Sequence, residues 1–207
     1  MDGAKLLTAA KIIVKAGEQI EAIISILKEK LGEALTNENI EIDVDYDTDE
    51  EYSEGDWIYK SYLWDIALFK IKRGKKTKQP FAHIAIKVVL YDEDECKDSK
   101  WEPSLYISYG TGEIAFDLES SLWLSPKKKG WDLDGNKLWN WKEEDEQGWG
   151  FVLPLVKLNF EETLVEQIIK PVKKLFDGTA SADAFPSDND GLAFRFTQDV
   201  NGTKIIS

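Results

Sequence analysis

Two hydrophobic rhythms meet between residues 35 and 40. Before that point apolar residues recur at alternating spacings of four and three: Leu6, Ala10, Ile13, Gly17, Ile20, Ile24, Leu27 and Leu31. Such spacing sets them on one stripe of a helix over residues 4–35. Ile12, Ile23 and Ile26 broaden the stripe. Asp2 suits the N-cap, and Gly17 weakens the middle by about 1 kcal/mol relative to alanine. A narrow seam would point to a dimerising coiled coil. The width of this stripe favours a helix lying on a sheet of its own chain.

After residue 40 the period falls to two. In Ile40-Glu41-Ile42-Asp43-Val44-Asp45-Tyr46-Asp47 apolar and acidic residues alternate strictly. Side chains of a strand point to opposite faces in turn. Ile40, Ile42, Val44 and Tyr46 are therefore expected on a core, with Glu41, Asp43, Asp45 and Asp47 as a row of carboxylates on the other face. Neighbours in that row stand roughly 6.8 Å apart. Their summed repulsion in salt is on the order of 1 kcal/mol, which a folded domain can carry without a metal ion. A solvated row that deters edge-to-edge pairing explains it equally well.

Further on, residues 57–72 and 81–91 read as the two arms of a hairpin joined by a turn over Arg73-Gly74-Lys75-Lys76-Thr77-Lys78. In the second arm Ala82, Ile84, Ile86, Val88 and Leu90 make an apolar face, and Phe81, His83, Ala85, Lys87 and Val89 a mixed one. A second hairpin is expected from 104–109 and 113–124. A polar loop follows over 125–148, then a strand over 151–158, placed near an edge by Pro154. Leu164, Val165, Ile168, Ile169, Val172, Leu175 and Phe176 predict a helix over 160–177. Its start resembles a capping box at Asn159, Pro171 should kink it, and Gly178 should end it. Residues 192–206 suggest a closing hairpin. The expected fold is α+β: a long N-terminal helix packed on a mainly antiparallel sheet spanning 40–158, with a second helix near the C-terminus, all in one domain over 1–207.

Charge narrows the function classes. The chain carries −13 over 207 residues, which disfavours nucleic acid except through the basic turn Lys70, Lys72, Arg73, Lys75, Lys76 and Lys78. That turn is also suited to neutralising the acidic strand of the same chain. Cys96 and His83 are the single cysteine and histidine, so no disulfide, cysteine zinc cage or His-rich metal site is available within the chain. No apolar run approaches a membrane span and no signal-peptide pattern leads the chain. The expectation is a cytoplasmic protein without membrane partners or cofactors.

Three functional readings follow. The first is a non-catalytic protein of inhibitor or immunity type that binds a basic partner through Glu41, Asp43, Asp45 and Asp47. The second is an enzyme using Asp65 and Lys87, a metal-dependent hydrolase or nuclease-like one. These two residues have part of the strand arrangement of restriction-endonuclease-type nucleases, but Ala85 stands where an acid should precede the lysine, and one carboxylate is a poor magnesium site. The third is ligand binding on the tryptophan-rich stretch 123–149, with Trp131, Trp139 and Trp141 as contacts. Asp132-Leu133-Asp134-Gly135 and Asp188-Asn189-Asp190-Gly191 lack the acid a calcium loop requires at its twelfth position and read as turns.

Overall fold

A computed structural model describes residues 3–51, 61–90, 102–111, 131–134, 138–143, 145–158, 160–185, 195–199 and 202–206. It is α+β. Helix α1 (Gly3–Leu35) is followed by β1 (Ile40–Glu51), β2 (Ser61–Lys72), β3 (Lys75–Lys76), β4 (Ala82–Val89), β5 (Ser104–Gly110), β6 (Trp131–Asp134), β7 (Leu138–Glu143) and β8 (Glu146–Pro154). Helix α2 covers residues 161–176, α3 is the single turn Ser181–Ala184, and β9 (Arg195–Asp199) pairs with β10 (Gly202–Ile206) as a separate antiparallel hairpin. Strand order in the main sheet is β1-β2-β4-β5-β8-β7-β6, with β3 added to β2, and every pairing is antiparallel.

The helices lie on one face of this sheet. Ile20, Ile24, Leu27, Leu31 and Leu35 of α1 are buried with Ile66, Leu68, Ile84, Ile86, Val88, Leu105, Ile107, Phe151 and Leu153 from the sheet and Leu164, Ile168 and Val172 from α2. Each such side chain contributes about 1.5–3 kcal/mol on burial. Lys30 ties the helices together. It donates to Glu33 at 3.1 Å and lies 3.9 Å from Glu161, and these carboxylates hold its ammonium above the usual lysine range, the Glu33 hydrogen bond first.

Only the second half of α1 meets the expectation of a helix lying on the sheet. Leu6, Leu7, Ile12, Ile13 and Val14 are exposed. The stripe is continuous in sequence, but the sheet beneath it covers only its second half. Asp2, the expected N-cap, lies outside the described residues.

The turn Arg73-Gly74 has both residues in the left-handed region, at φ 52° and 72°. A two-residue hairpin loop requires this to match the twist of its strands.

Two expectations about the middle of the chain need correction. Both edges of β5 are occupied over its whole length, by β4 on one side and β8 on the other. The partners of residues 104–109 are thus β4 and β8; the expected partner, 113–124, lies wholly outside the described residues. The stretch 125–148, expected as loop, contains β6 and β7. Its alternation of Trp139, Asn140 and Trp141 suits a strand whose rings all turn to one face. Strand β8 also starts earlier than expected and has a strand on both sides over Gly148–Gly150. Beyond Gly150 it loses its β7 neighbour, and Pro154 sits at that one-sided end.

Helix α2 opens with Phe160 at the N-cap and no side-chain cap hydrogen bond from it; Asn159, on which the expected capping box rests, lies outside the described residues. Pro171 lacks the amide that would close the preceding turn. The helix widens into a π turn over Val165–Ile169 just before it, a recognised way of absorbing such a break. Gly178 follows at φ 84° and terminates the helix.

Candidate functional site

The sheet face opposite the helices gathers the chemistry. Cross-strand partners share a face, so the registers place Asp65, Ala85 and Ser108 in one row across β2, β4 and β5. The next row is Asp43, Ala67, His83, Gly110, Gly148 and Trp141. The row on the other side holds Leu63, Lys87, Tyr106 and Val152. Four polar side chains thus surround the methyl of Ala85: Asp65 and Ser108 beside it on the flanking strands, His83 and Lys87 two positions away along β4.

Within this ring the His83 Nδ1 and Asp65 Oδ2 are 2.6 Å apart. Asp65 is 2% exposed and the His83 side chain 14%. Lys87 is 2% exposed. A buried carboxylate costs several kcal/mol unless paired, and the imidazole answers one of its oxygens. The other, Asp65 Oδ1, is buried and has no hydrogen-bond partner among the described residues, and neither does Ser108 Oγ. Each such atom costs about 1–3 kcal/mol while unsatisfied.

With Asp65 ionised, Nδ1–H of His83 donates to Oδ2. That fixes the tautomer and leaves Nε2 with its lone pair. Ser108 Oγ makes no hydrogen bond to His83, so the imidazole does not activate it in this structure. Among the described residues no group of three or more His, Cys, Asp or Glu side chains is placed to hold a metal ion.

Glycines deepen this face towards β7. A Cβ on Gly150 would fall 2.2 Å from the ring of Trp139, and one on Gly148 would fall 2.0 Å from the ring of Trp141. The two indoles fold over the glycines, which supply the room. Trp139 is buried and Trp141 half-buried. Trp149 points to the opposite face and stacks on Tyr109 and Phe151 in the core. For Trp131 the backbone alone is described, opposite Trp141.

At the β1 end, Glu41 is half-exposed and pairs with Lys76 at 3.3 Å. Lys76 Nζ also lies 4.1 Å from the centre of the Phe69 ring, and Lys70 Nζ lies 5.0 Å from that of Phe81. The basic turn thus meets the acidic strand at Glu41. Asp43 is half-buried. Between Asp43 and Asp47 the register slips: these residues pair with Ala67 and Asp65, four positions against two. The slip puts Asp47 opposite Asp65 in the backbone register. The side chains of Asp45 and Asp47 lie outside the described residues.

From the sequence, Asp65 and Lys87 are candidates, His83 reads as an ordinary strand residue on the mixed face of β4, and nothing singles out Ser108. The alternation of His83, Ala85 and Lys87 was visible, but the diagonal contact to Asp65 depends on the β2–β4 register. Compared with known proteins, the chain matches no family model, no curated sequence and no solved structure.

Proposed function

We propose that the chain is a hydrolase-type enzyme whose general base is His83, held by Asp65. The 2.6 Å contact between the only imidazole of the chain and a buried carboxylate carries this reading. Asp65 orients the ring and stabilises the imidazolium that forms when Nε2 takes a proton from water. The hydroxide so generated attacks the substrate, and the proton passes to the leaving group. Lys87 supplies a positive charge on the same face for the oxyanion that develops. Water is assigned as nucleophile because Ser108 is not hydrogen-bonded to the imidazole.

The test is a panel of chromogenic carboxylic esters, phosphodiesters and glycosides with the full chain and with His83→Gln. Turnover of one class, lost by about 10²–10⁴-fold in the variant, supports the reading. No turnover of any class, or turnover indifferent to His83, overturns it.

A second reading has its own observation. Strand β1 lies at the end of the sheet and pairs with β2 alone among the described strands. An acidic edge on a chain of charge −13 suits a protein partner with a basic surface. A lysine-rich peptide should slow amide exchange over residues 40–51 at low salt and release it at high salt. Unchanged exchange would count against this second reading.

A further inference from the structure

We infer that the cationic tip of the β2–β3 hairpin docks on duplex DNA, entering the major groove with its basic side chains on the phosphates. The register sets Lys72 directly opposite Lys75. Cross-strand partners share a face, and like charges so placed repel. Lys70, two positions before Lys72, stands on that face as well, its Nζ 5.0 Å from the centre of the Phe81 ring. Arg73 holds the turn at φ 52°, and Lys78 follows close in sequence. All five are exposed. Lys76 points to the other face and is held by Glu41 at 3.3 Å. Among the described residues Lys72, Arg73, Lys75 and Lys78 form no ion pair. The chain has 39 acids against 26 lysines and arginines. Here it leaves four cations together, two of them in direct opposition, with no carboxylate brought to them. Their counter-charge has to come from outside the chain.

The shape of the hairpin narrows the partner. Strand β4 pairs with β2 only as far as Leu68, and β1 only as far as Lys70. The Thr77 N–H donates to the Lys70 carbonyl at 2.9 Å and closes the base of the ribbon. From Lys70 to Arg73 the ribbon runs on for about 10 Å. The major groove of B-form DNA is about 12 Å wide and 8.5 Å deep, and it admits a two-stranded ribbon. In duplex RNA that groove is too narrow and deep for side chains to read, so the geometry selects DNA.

Charge density and composition agree. Residues 72–79 read Lys-Arg-Gly-Lys-Lys-Thr-Lys-Gln, with no aliphatic or aromatic side chain to enter a bilayer. A body of net charge −13 stands behind this tip, so a docking anion has to be dense in charge. Duplex DNA carries one charge per about 1.7 Å of axis, against at most one per about 3.4 Å along an extended acidic peptide. Lys70, Lys72 and Lys75 stand on the helix side of the sheet, away from His83, so this inference does not depend on the proposed hydrolysis.

The experiment is fluorescence anisotropy of a labelled DNA duplex of about 20 base pairs, titrated with the full chain between about 20 and 200 mM salt. Binding is expected at low salt. Four phosphate contacts give log K against log salt a slope of about −3.6. The double variant Lys72→Gln/Lys75→Gln should bind at least about tenfold more weakly and flatten the slope by about 2. Both sites are exposed, and thermal unfolding checks that loss of the repelling pair leaves the fold intact. Lys11→Gln/Lys15→Gln removes the same charge from α1 and should bind like the wild type. A duplex RNA of the same sequence should bind less tightly than the DNA. Absence of binding to DNA at low salt overturns the inference, as does equal weakening by the two double variants or equal affinity for the RNA. Tighter binding of polyglutamate or of phosphatidylserine vesicles would assign the hairpin to an acidic protein or to a membrane instead.

Discussion

His83 reaches Asp65 along a diagonal of the β2–β4 ladder, Nδ1 to Oδ2 at 2.6 Å, although the two residues are not register partners. Asp65 faces Ala85 and His83 faces Ala67. The small side chains at both positions let the imidazole lean across. The contact sets the imidazole tautomer, which nitrogen-15 NMR of the single histidine reads directly. The wild type should show the proton on Nδ1. Asp65→Asn should shift the ring towards the Nε2–H form and cost about 1.5–3 kcal/mol of stability in urea unfolding, the range for hydrogen bonds to charged groups. An unchanged ring spectrum would show that Asp65 does not hold it.

The tryptophan–glycine pairs make a steric prediction. Gly150→Ala brings a methyl to 2.2 Å from the Trp139 ring, and Gly148→Ala brings one to 2.0 Å from Trp141 and 2.1 Å from the Tyr109 carbonyl oxygen. Each substitution should destabilise by about 1–3 kcal/mol, as overpacking does. Gly148 should be the worse, because a backbone oxygen cannot turn aside. Adding Trp139→Leu to Gly150→Ala should recover part of the loss. Equal stability of both alanine variants and the wild type would contradict the packing.

Helix α1 is stabilising only where it is covered. Leu31→Ala should cost about 2–5 kcal/mol by thermal or urea unfolding. Leu6→Ala, at an exposed position, should stay within about 0.5 kcal/mol. Similar losses at both positions would mean that the first half is packed within the single chain.

Tyr109 gives a pH dependence. Burial pushes its phenol above the ordinary tyrosine value of 10.0, because the phenolate is poorly solvated between Trp149 and Phe176. Above pH 10 the unfolded chain therefore releases this proton first. The stabilising contribution is complete below the unfolded value and is lost as pH rises through the folded one. Tyr109→Phe should flatten the fall in unfolding free energy above pH 10, while leaving other slopes unchanged. An identical slope in the variant would refute the assignment.

The Glu41–Lys76 pair should matter little to stability. Both ends are partly exposed, and Glu41→Gln should cost no more than about 1 kcal/mol, with less at high salt. A larger cost would mean that the Lys76 contact with Phe69 depends on the carboxylate.

The residues that were legible in the sequence share one property: their pattern is local. The four-three spacing from Leu6 to Leu31 is enough to predict α1, and the two-residue alternation of Ile40 to Asp47 is enough to predict β1. The mixed face of β4 was visible as Phe81, His83, Ala85, Lys87 and Val89. Asp65 and Lys87 were candidates from strand position alone. His83 looked like an ordinary strand residue because nothing near it in sequence is its partner. The loop expected over 125–148 failed for a related reason: Asp, Gly and Lys residues hid two short strands whose stability comes from pairing with β8.

By itself the sequence determined where the long helices and the longer strands form and which side of each is apolar, because both depend on the period of the backbone. Only the tertiary structure decided which strands are neighbours and in what register. Those choices depend on contacts between residues far apart in the chain. They set His83 against Asp65, slipped the register of β1 so that Asp47 stands opposite Asp65, and enclosed Trp139 over Gly150. They also ended the sheet's cover of α1 halfway along, leaving one continuous apolar stripe with a buried half and an exposed half.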